Sequence, residues 1–353
     1  MYKAEMWKEK EGPCLRNFDE NFTRTSINGA LALRGQIEKI VDDIWEKGFD
    51  AIYFMGIGGT WASAMQVEVY MRGRSALPVY VDNAAEFLTT GNRKFTKNSV
   101  LIYSSVSGNT KEMLQLVEKV KGIGARVFAF IDTPGSTLTQ SDKRDYLVVY
   151  PMNEQLKFYM VANYLMYKNG EFPEYERYNS EMESCLAEAL ITVEKEADAW
   201  AYDYAEKKIA FLKEHPDLPH YFVGAGNQAA AAYSYAMCYW EEQMWVRTRY
   251  SSAPEFFHGM QEIILADTPV TLFIGEDEQR PLSERVARFL PKVCANYTII
   301  DTKEFELKGI SPEFRGSVSH LVMRAVNARV DAYMELFLRH PLSVRRYYRQ
   351  FDY

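Results

Sequence analysis

Lys97-Asn98-Ser99-Val100-Leu101-Ile102-Tyr103-Ser104-Ser105-Val106-Ser107-Gly108-Asn109-Thr110-Lys111-Glu112 changes character twice, and that change decides the fold. Val100 to Tyr103 is a short apolar run of the kind that forms a buried strand. It breaks into small hydroxyl residues, and then Met113, Leu114, Leu116, Val117 and Val120 recur at helical spacing. A strand that turns through serine and threonine into a helix makes an anion site. The first backbone N–H groups of the helix are unpaired, the helix dipole is positive there, and hydroxyls add donors. The turn contains no lysine before Lys111, which suits the phosphate of a small sugar better than a triphosphate with its metal. A second reading fits the same residues: Ser107, Asn109 and Thr110 simply cap a helix.

The composition is that of an ordinary globular chain. Its 353 residues are 47% hydrophobic and 25% charged, enough for two domains with substantial cores. The net charge is -7 and no Lys/Arg run exceeds two residues, so binding to nucleic acid or to a membrane surface is not expected. Cys14, Cys185, Cys238 and Cys294 lie far apart, without the paired spacing of a metal cluster or a disulfide framework. No apolar stretch reaches spanning length and the N-terminus lacks a signal-peptide core, so a cytoplasmic location is the default expectation.

Outward from the organising stretch, the pattern alternates. Residues 1–20 read as an arm, and Ser26 to Lys47 as one amphipathic helix. Ala51–Met55, Leu77–Val81, Val100–Tyr103, Arg126–Ile131 and Tyr146–Tyr150 read as strands, with helices between them. Residues 152–214 read as helical throughout. The pattern then restarts with His220–Val223, a helix from Ala229 to Trp245, a strand at Pro269–Ile274, a helix over 284–292 and a strand at Tyr297–Ile300. Strands alternating with helices predict an α/β fold with doubly wound parallel sheets, here two similar halves in tandem. The division expected is 1–49 for an N-terminal arm and helix, 50–165 for the first subdomain, 166–214 for a helical linker, 215–330 for the second subdomain and 331–353 for a C-terminal helix and tail.

Two glycine turns imitate dinucleotide fingerprints. Gly56-Ile57-Gly58-Gly59-Thr60-Trp61 places Trp61 where a small residue must pack helix against strand. Gly224-Ala225-Gly226-Asn227-Gln228-Ala229 satisfies the pattern, but Glu241 and Glu242 fall inside a continuing helix instead of ending a second strand. Dinucleotide binding is therefore not expected.

Three stretches together resemble the sugar isomerase (SIS) domain family. They are Gly58-Gly59-Thr60 after a strand, Ser105-Val106-Ser107-Gly108-Asn109-Thr110, which is similar to the family's phosphate loop, and Glu255-Phe256-Phe257-His258-Gly259. The resemblance covers about residues 50–330 as two SIS-type, flavodoxin-like, three-layer halves. Within the family the likeness is to the fructosamine-6-phosphate deglycases. It is carried by Glu255 to Ile263, by Gly275-Glu276-Asp277-Glu278-Gln279-Arg280 and by the tail Arg345-Arg346-Tyr347-Tyr348 with a terminal tyrosine. Met260 departs from the usual proline after His-Gly, and Val106 from a polar residue in the phosphate loop. No lysine follows Lys308, whereas the isomerase half of glucosamine-6-phosphate synthase keeps one in its tail. Residue 2 is tyrosine, so an N-terminal glutamine amidotransferase is not expected.

The resemblance implies a deglycase that splits a sugar–amino acid adduct such as fructoselysine 6-phosphate into glucose 6-phosphate and the free amino acid. Gly59, Thr60, Ser105, Ser107, Gly108, Asn109 and Thr110 would hold the phosphate. It places a helix glutamate at Glu242, sixteen residues before His258, as the base, with His258 as the acid and Glu255 orienting it or binding sugar hydroxyls. Burial would raise the carboxyl pKa toward neutrality and suit it to proton abstraction, and a histidine titrates in the same range. Read from the residues alone, Glu242 is better explained as a solvated surface carboxylate and His258 as structural. His215, His220, His320 and His340 read as structural or surface, the last two on helices. No metal or organic cofactor is required, because the substrate's own nitrogen stabilises the intermediate. In this family the histidine segment often reaches a neighbouring subunit's site, which implies a homodimer or higher homo-oligomer with a shared active site. Lys157, Arg247, Arg249 and Glu276-Asp277-Glu278 are candidates to bias the amino-acid pocket. An aldose–ketose phosphosugar isomerase or an amino-sugar phosphate deaminase would share every phosphate contact. A sugar-phosphate sensor is a third reading, disfavoured because such regulators carry a basic helix-turn-helix ahead of a single SIS domain.

Overall fold

The computed structural model of the chain describes residues 12–348, 350 and 351. Most of the arm expected at the N-terminus, and the terminal Tyr353, lie outside the described residues. The chain forms two compact units, Asn21–Ala187 and Glu188–Tyr353, the latter joined by residues up to Glu20.

The first unit opens with α1 (Glu20–Leu31) and α2 (Arg34–Glu46), where the periodicity predicted a single helix. The helix breaks because the chain tightens at its end: the Leu33 N–H donates to Ala30 O at 3.1 Å, an i→i−3 bond. Then follow β1 (Ile52–Gly56), α3 (Gly59–Arg72), β2 (Val79–Asn83), α4 (Ala84–Thr90), β3 (Val100–Ser105), α5 (Lys111–Ile123), β4 (Arg126–Ile131), α6 (Thr137–Gln140), β5 (Tyr146–Val149) and α7 (Glu154–Lys168). The helical reading of 152–214 is interrupted at 169–174 before α8 (Tyr175–Glu214), and Pro173 in that gap disfavours helical geometry at Phe172.

All five strands of this unit pair in parallel in the order β2-β1-β3-β4-β5. Parallel strands with crossover helices are covered on both faces, which is why they read as unbroken apolar runs. One face carries Tyr53, Met55, Leu101, Tyr103, Val127 and Ala129 against Met113, Leu116, Val117 and Val120 of α5 and Ala84 and Phe87 of α4. On the other face Phe54 and Phe130 both meet Phe158 of α7 edge-on.

The second unit repeats the plan. After α8 come β6 (His220–Gly224), α9 (Asn227–Ser234), a π-helical turn (Tyr235–Glu241), β7 (Thr248–Ser252), α10 (Ala253–Phe256), β8 (Val270–Ile274), α11 (Arg280–Phe289), β9 (Tyr297–Asp301) and α12 (Pro312–Leu338). Its parallel order, β7-β6-β8-β9, matches the first four strands of the other sheet. Two sequence readings are corrected here. The helix expected from Ala229 to Trp245 changes to π geometry at Tyr235 and ends at Glu241, and His340 lies just past α12 rather than on a helix. The polar strand β7 was not foreseen; it is an edge strand with no fully buried residue, so it lacks an apolar signature. Among the described residues, no helix is long and apolar enough to cross a membrane.

Candidate functional site

In the first unit the chain reverses its strand order between β1 and β3, and ligands of open α/β sheets bind outside the carboxyl ends of strands at such a point. The β1–α3 turn holds Gly59 and Thr60; the β3–α5 turn holds Ser105 to Thr110. Because β1 and β3 are parallel neighbours in register from Ile52↔Val100 to Met55↔Tyr103, both turns leave the same edge side by side.

The β3–α5 turn is built mostly from its own hydroxyls. Gly108 N–H donates to Ser105 Oγ at 3.1 Å, Asn109 N–H donates to Ser107 Oγ at 3.2 Å, and Ser107 Oγ lies 3.4 Å from Thr110 Oγ1. A hydroxyl that accepts a backbone N–H keeps its own proton to donate. Thr110 is the N-cap residue of α5, yet its side chain makes no cap bond, leaving the first turn's N–H groups unclaimed by it. Thr60 closes the neighbouring turn, with Ile57 N–H donating to Thr60 Oγ1 at 3.2 Å.

Gly108 is required at its position. Its φ is +63°, and a Cβ there would stand 1.9 Å from Ser136 Oγ. Asn109 braces the loop from outside: Thr137 N–H and Oγ1 donate to its Oδ1 at 3.0 and 2.7 Å. Ser136 and Thr137 were missed in the sequence because their partners lie almost thirty residues away along the chain.

The residues resembling the acid–base pair lie in the second unit. Glu242 follows the π-helical turn, and its side chain is 36% exposed with Oε1 accepting from Arg345 Nε at 2.8 Å. The carboxylate is partly buried and held in an ion pair. Glu255 lies in α10 and His258 just beyond it, and both are exposed; among the described residues neither side chain has a hydrogen-bond partner. The Thr248 hydroxyl donates to Glu241 Oε1 at 2.6 Å, which puts Glu242 at the amino end of β7, whereas His258 follows its carboxyl end. A five-residue strand rises roughly 13 Å between its ends. Within one copy the two groups therefore flank opposite ends of β7.

The second unit has its own switch point between β6 and β8, and there a carboxylate fills it. Asp277 Oδ2 accepts the Asn227 N–H at the start of α9 at 2.6 Å, and Gly226 N–H donates to Gln279 Oε1 at 3.2 Å. A Cβ on Gly226 would lie 2.1 Å from Asp277 Oδ2. The acidic run thus braces its own unit: Glu276 takes Arg315 in a two-pronged ion pair at 2.7 and 2.8 Å. Lys157 is fully buried, its Nζ donating to Asp132 Oδ1 at 2.9 Å and Tyr150 O at 2.8 Å. Arg247 pairs with Asp217 at the surface, and Arg249 is exposed on β7.

Residues 47–167 match the family model of the SIS domain. The fructosamine deglycase FrlB of Bacillus subtilis (strain 168) is 27% identical over 324 residues, covering 90% of this chain and 97% of that one. The fructoselysine 6-phosphate deglycase of Escherichia coli (strain K12) is 22% identical over 318 residues, 88% of this chain and 89% of its own length. A solved structure of a Bacillus subtilis protein assigned as a phosphosugar isomerase superposes with a TM-score of 0.81 at 24% identity, covering 94% of this chain and all of that one. Residues 47–167 thus carry an SIS domain, and over most of its length the chain is similar to deglycases of phosphorylated fructosamines.

Proposed function

We propose that the protein is a fructosamine-6-phosphate deglycase, releasing glucose 6-phosphate and a free amino acid from a ketoamine such as fructoselysine 6-phosphate. The observation that carries this reading is the end-to-end similarity to FrlB, 27% over 90% of the chain. The start of α5, left uncapped by the Thr110 side chain, and its hydroxyl-lined turn support a phosphate cradle of Gly59, Thr60, Ser105, Ser107, Gly108 and Thr110, with Asn109 as its brace.

Glu242 takes a C1 proton from the open-chain ketoamine, and the C1–H electron pair forms the C1=C2 bond of an enaminol. His258 delivers a proton to the C2 oxygen. Return of the proton from Glu242 to C2 lets the nitrogen lone pair form C1=N, giving a protonated imine; water adds to C1, one of its protons passes to the nitrogen, and the amine leaves as His258 recovers the other. The separation of Glu242 from His258 within one chain supports a site completed by a second copy of the chain, so the acting form is a homo-oligomer. A cytoplasmic location fits a phosphorylated substrate.

The test supplies α- and ε-linked fructosamine 6-phosphates, tagatose 6-phosphate and glucosamine 6-phosphate in parallel. Amino-acid release with stoichiometric glucose 6-phosphate supports the deglycase; ketose–aldose interconversion or ammonia release without it replaces this reading by the isomerase or the deaminase.

A further inference from the structure

The C-terminal segment closes on the helix end that bears Glu242. His340 Nε2 donates to Gln243 O at 2.9 Å, since a carbonyl can only accept. The His340 and Trp245 rings lie 3.8 Å apart, and the Arg346 guanidinium stands 4.1 Å over the Trp245 ring. Trp245 itself has a φ of +59°, a conformation costly for a bulky side chain, and it follows a π-helical turn. Both features persist only where surroundings hold them, and both gather at functional sites.

From this turn we propose that Arg345 is a positioning residue for Glu242, selecting the orientation in which the carboxylate meets the substrate. The inference rests on the reading of Glu242 as the base. Arg345 Nε donates to Glu242 Oε1 at 2.8 Å, while its Nη1 donates to Leu342 O at 2.6 Å and Val344 O at 3.1 Å. The guanidinium is thus fixed by its own backbone before it meets the carboxylate, so little freedom is lost in forming the pair. Glu242 Oε2 has no protein partner among the described residues and is the oxygen left to take the proton. A half-exposed glutamate without this contact would sample several rotamers, and misplacing a catalytic group by an ångström lowers turnover on the order of a hundredfold.

The experiment compares wild type, R345A and R345K as full-length chains in their native assembly. R345A should lose about 10- to 100-fold in kcat with KM, and the thermal shift given by glucose 6-phosphate, changed less than about twofold. Methylguanidinium added to R345A should restore part of kcat and do nothing for E242Q; R345K, lacking the fork anchored on Leu342 and Val344, should fall between. Wild-type kcat in R345A overturns the proposal, as does a kcat loss matched by lost glucose 6-phosphate binding or untouched by methylguanidinium. If the chain proves to interconvert aldose and ketose phosphates, the deglycase reading fails but the same comparison on that turnover still decides the role of Arg345, because both reactions move a proton between C1 and C2. Absence of any such turnover removes Glu242 as base and Arg345 with it.

Discussion

Asp277 closes the start of α9 with its own carboxylate: Oδ2 accepts the Asn227 N–H at 2.6 Å and Oδ1 the Gln279 N–H at 3.0 Å. The two units share a strand order, and so share a place where an anion would sit. In one unit the protein supplies that anion itself.

One phosphosugar should therefore bind per chain, measured by titration calorimetry with glucose 6-phosphate. D277A should lower stability by about 1–2 kcal/mol in denaturant unfolding, the usual loss for a removed helix cap with a charged acceptor. Two equivalent sites in the wild type would contradict this account.

The β3–α5 turn tests the phosphate cradle. In G108A the new methyl meets Ser136 at a positive φ, a strain on the order of 1–3 kcal/mol that only a moved loop relieves. Glucose 6-phosphate affinity should fall at least about tenfold, whereas S136G, which vacates the space, should recover part of it in the double variant. Unchanged affinity in G108A would place the phosphate elsewhere.

Glu242 and His258 lie at opposite ends of β7, which makes a mixing experiment decisive. E242Q and H258A should each be close to inactive, with glucose 6-phosphate binding retained. Co-expressed, they should regain activity in roughly a quarter of the sites of a dimer, because random pairing leaves that fraction with both groups intact. No recovery in a verified mixed assembly would restrict the site to a single copy.

Lys208 gives a pH signature. It is buried, bonded to Asn296 Oδ1 at 3.2 Å, and burial pushes its pKa down to about 8. Below pH 8 both folded and unfolded chains hold the proton, so the burial cost is fully present. Between about 8 and 10.5 the unfolded chain keeps the proton and the folded one sheds it, so stability attributable to this group rises with pH. K208M should thus exceed wild type most near pH 7, by about 3 kcal/mol at the upper limit, and the gap should close toward pH 10. A gap independent of pH in chemical denaturation would refute the assignment.

How much was legible depended on the range over which each signal acts. Val100 to Tyr103 and Arg126 to Ile131 announced themselves because a strand buried on both faces must be apolar along its length. β7 did not, since an edge strand of Thr248, Arg249, Tyr250, Ser251 and Ser252 meets no such demand. The break between α1 and α2 escaped for a different reason: the apolar spacing continues through it while the backbone does not. The β3–α5 turn was legible as a possible anion site, but Ser136, which makes glycine obligatory at 108, was not.

The α/β class, the tandem repeat and the residue types of a hydroxyl-lined turn follow from the order of residues, because periodicity and turn chemistry are local properties of the chain. It took the folded chain to put Asp277 at the second switch point, to wall Lys157 in with Asp132, and to bring Arg345 onto Glu242 from 103 residues away. Ion pairs and caps of that kind are set by which loops the folded sheets bring to one edge, and no spacing along the chain encodes that distance.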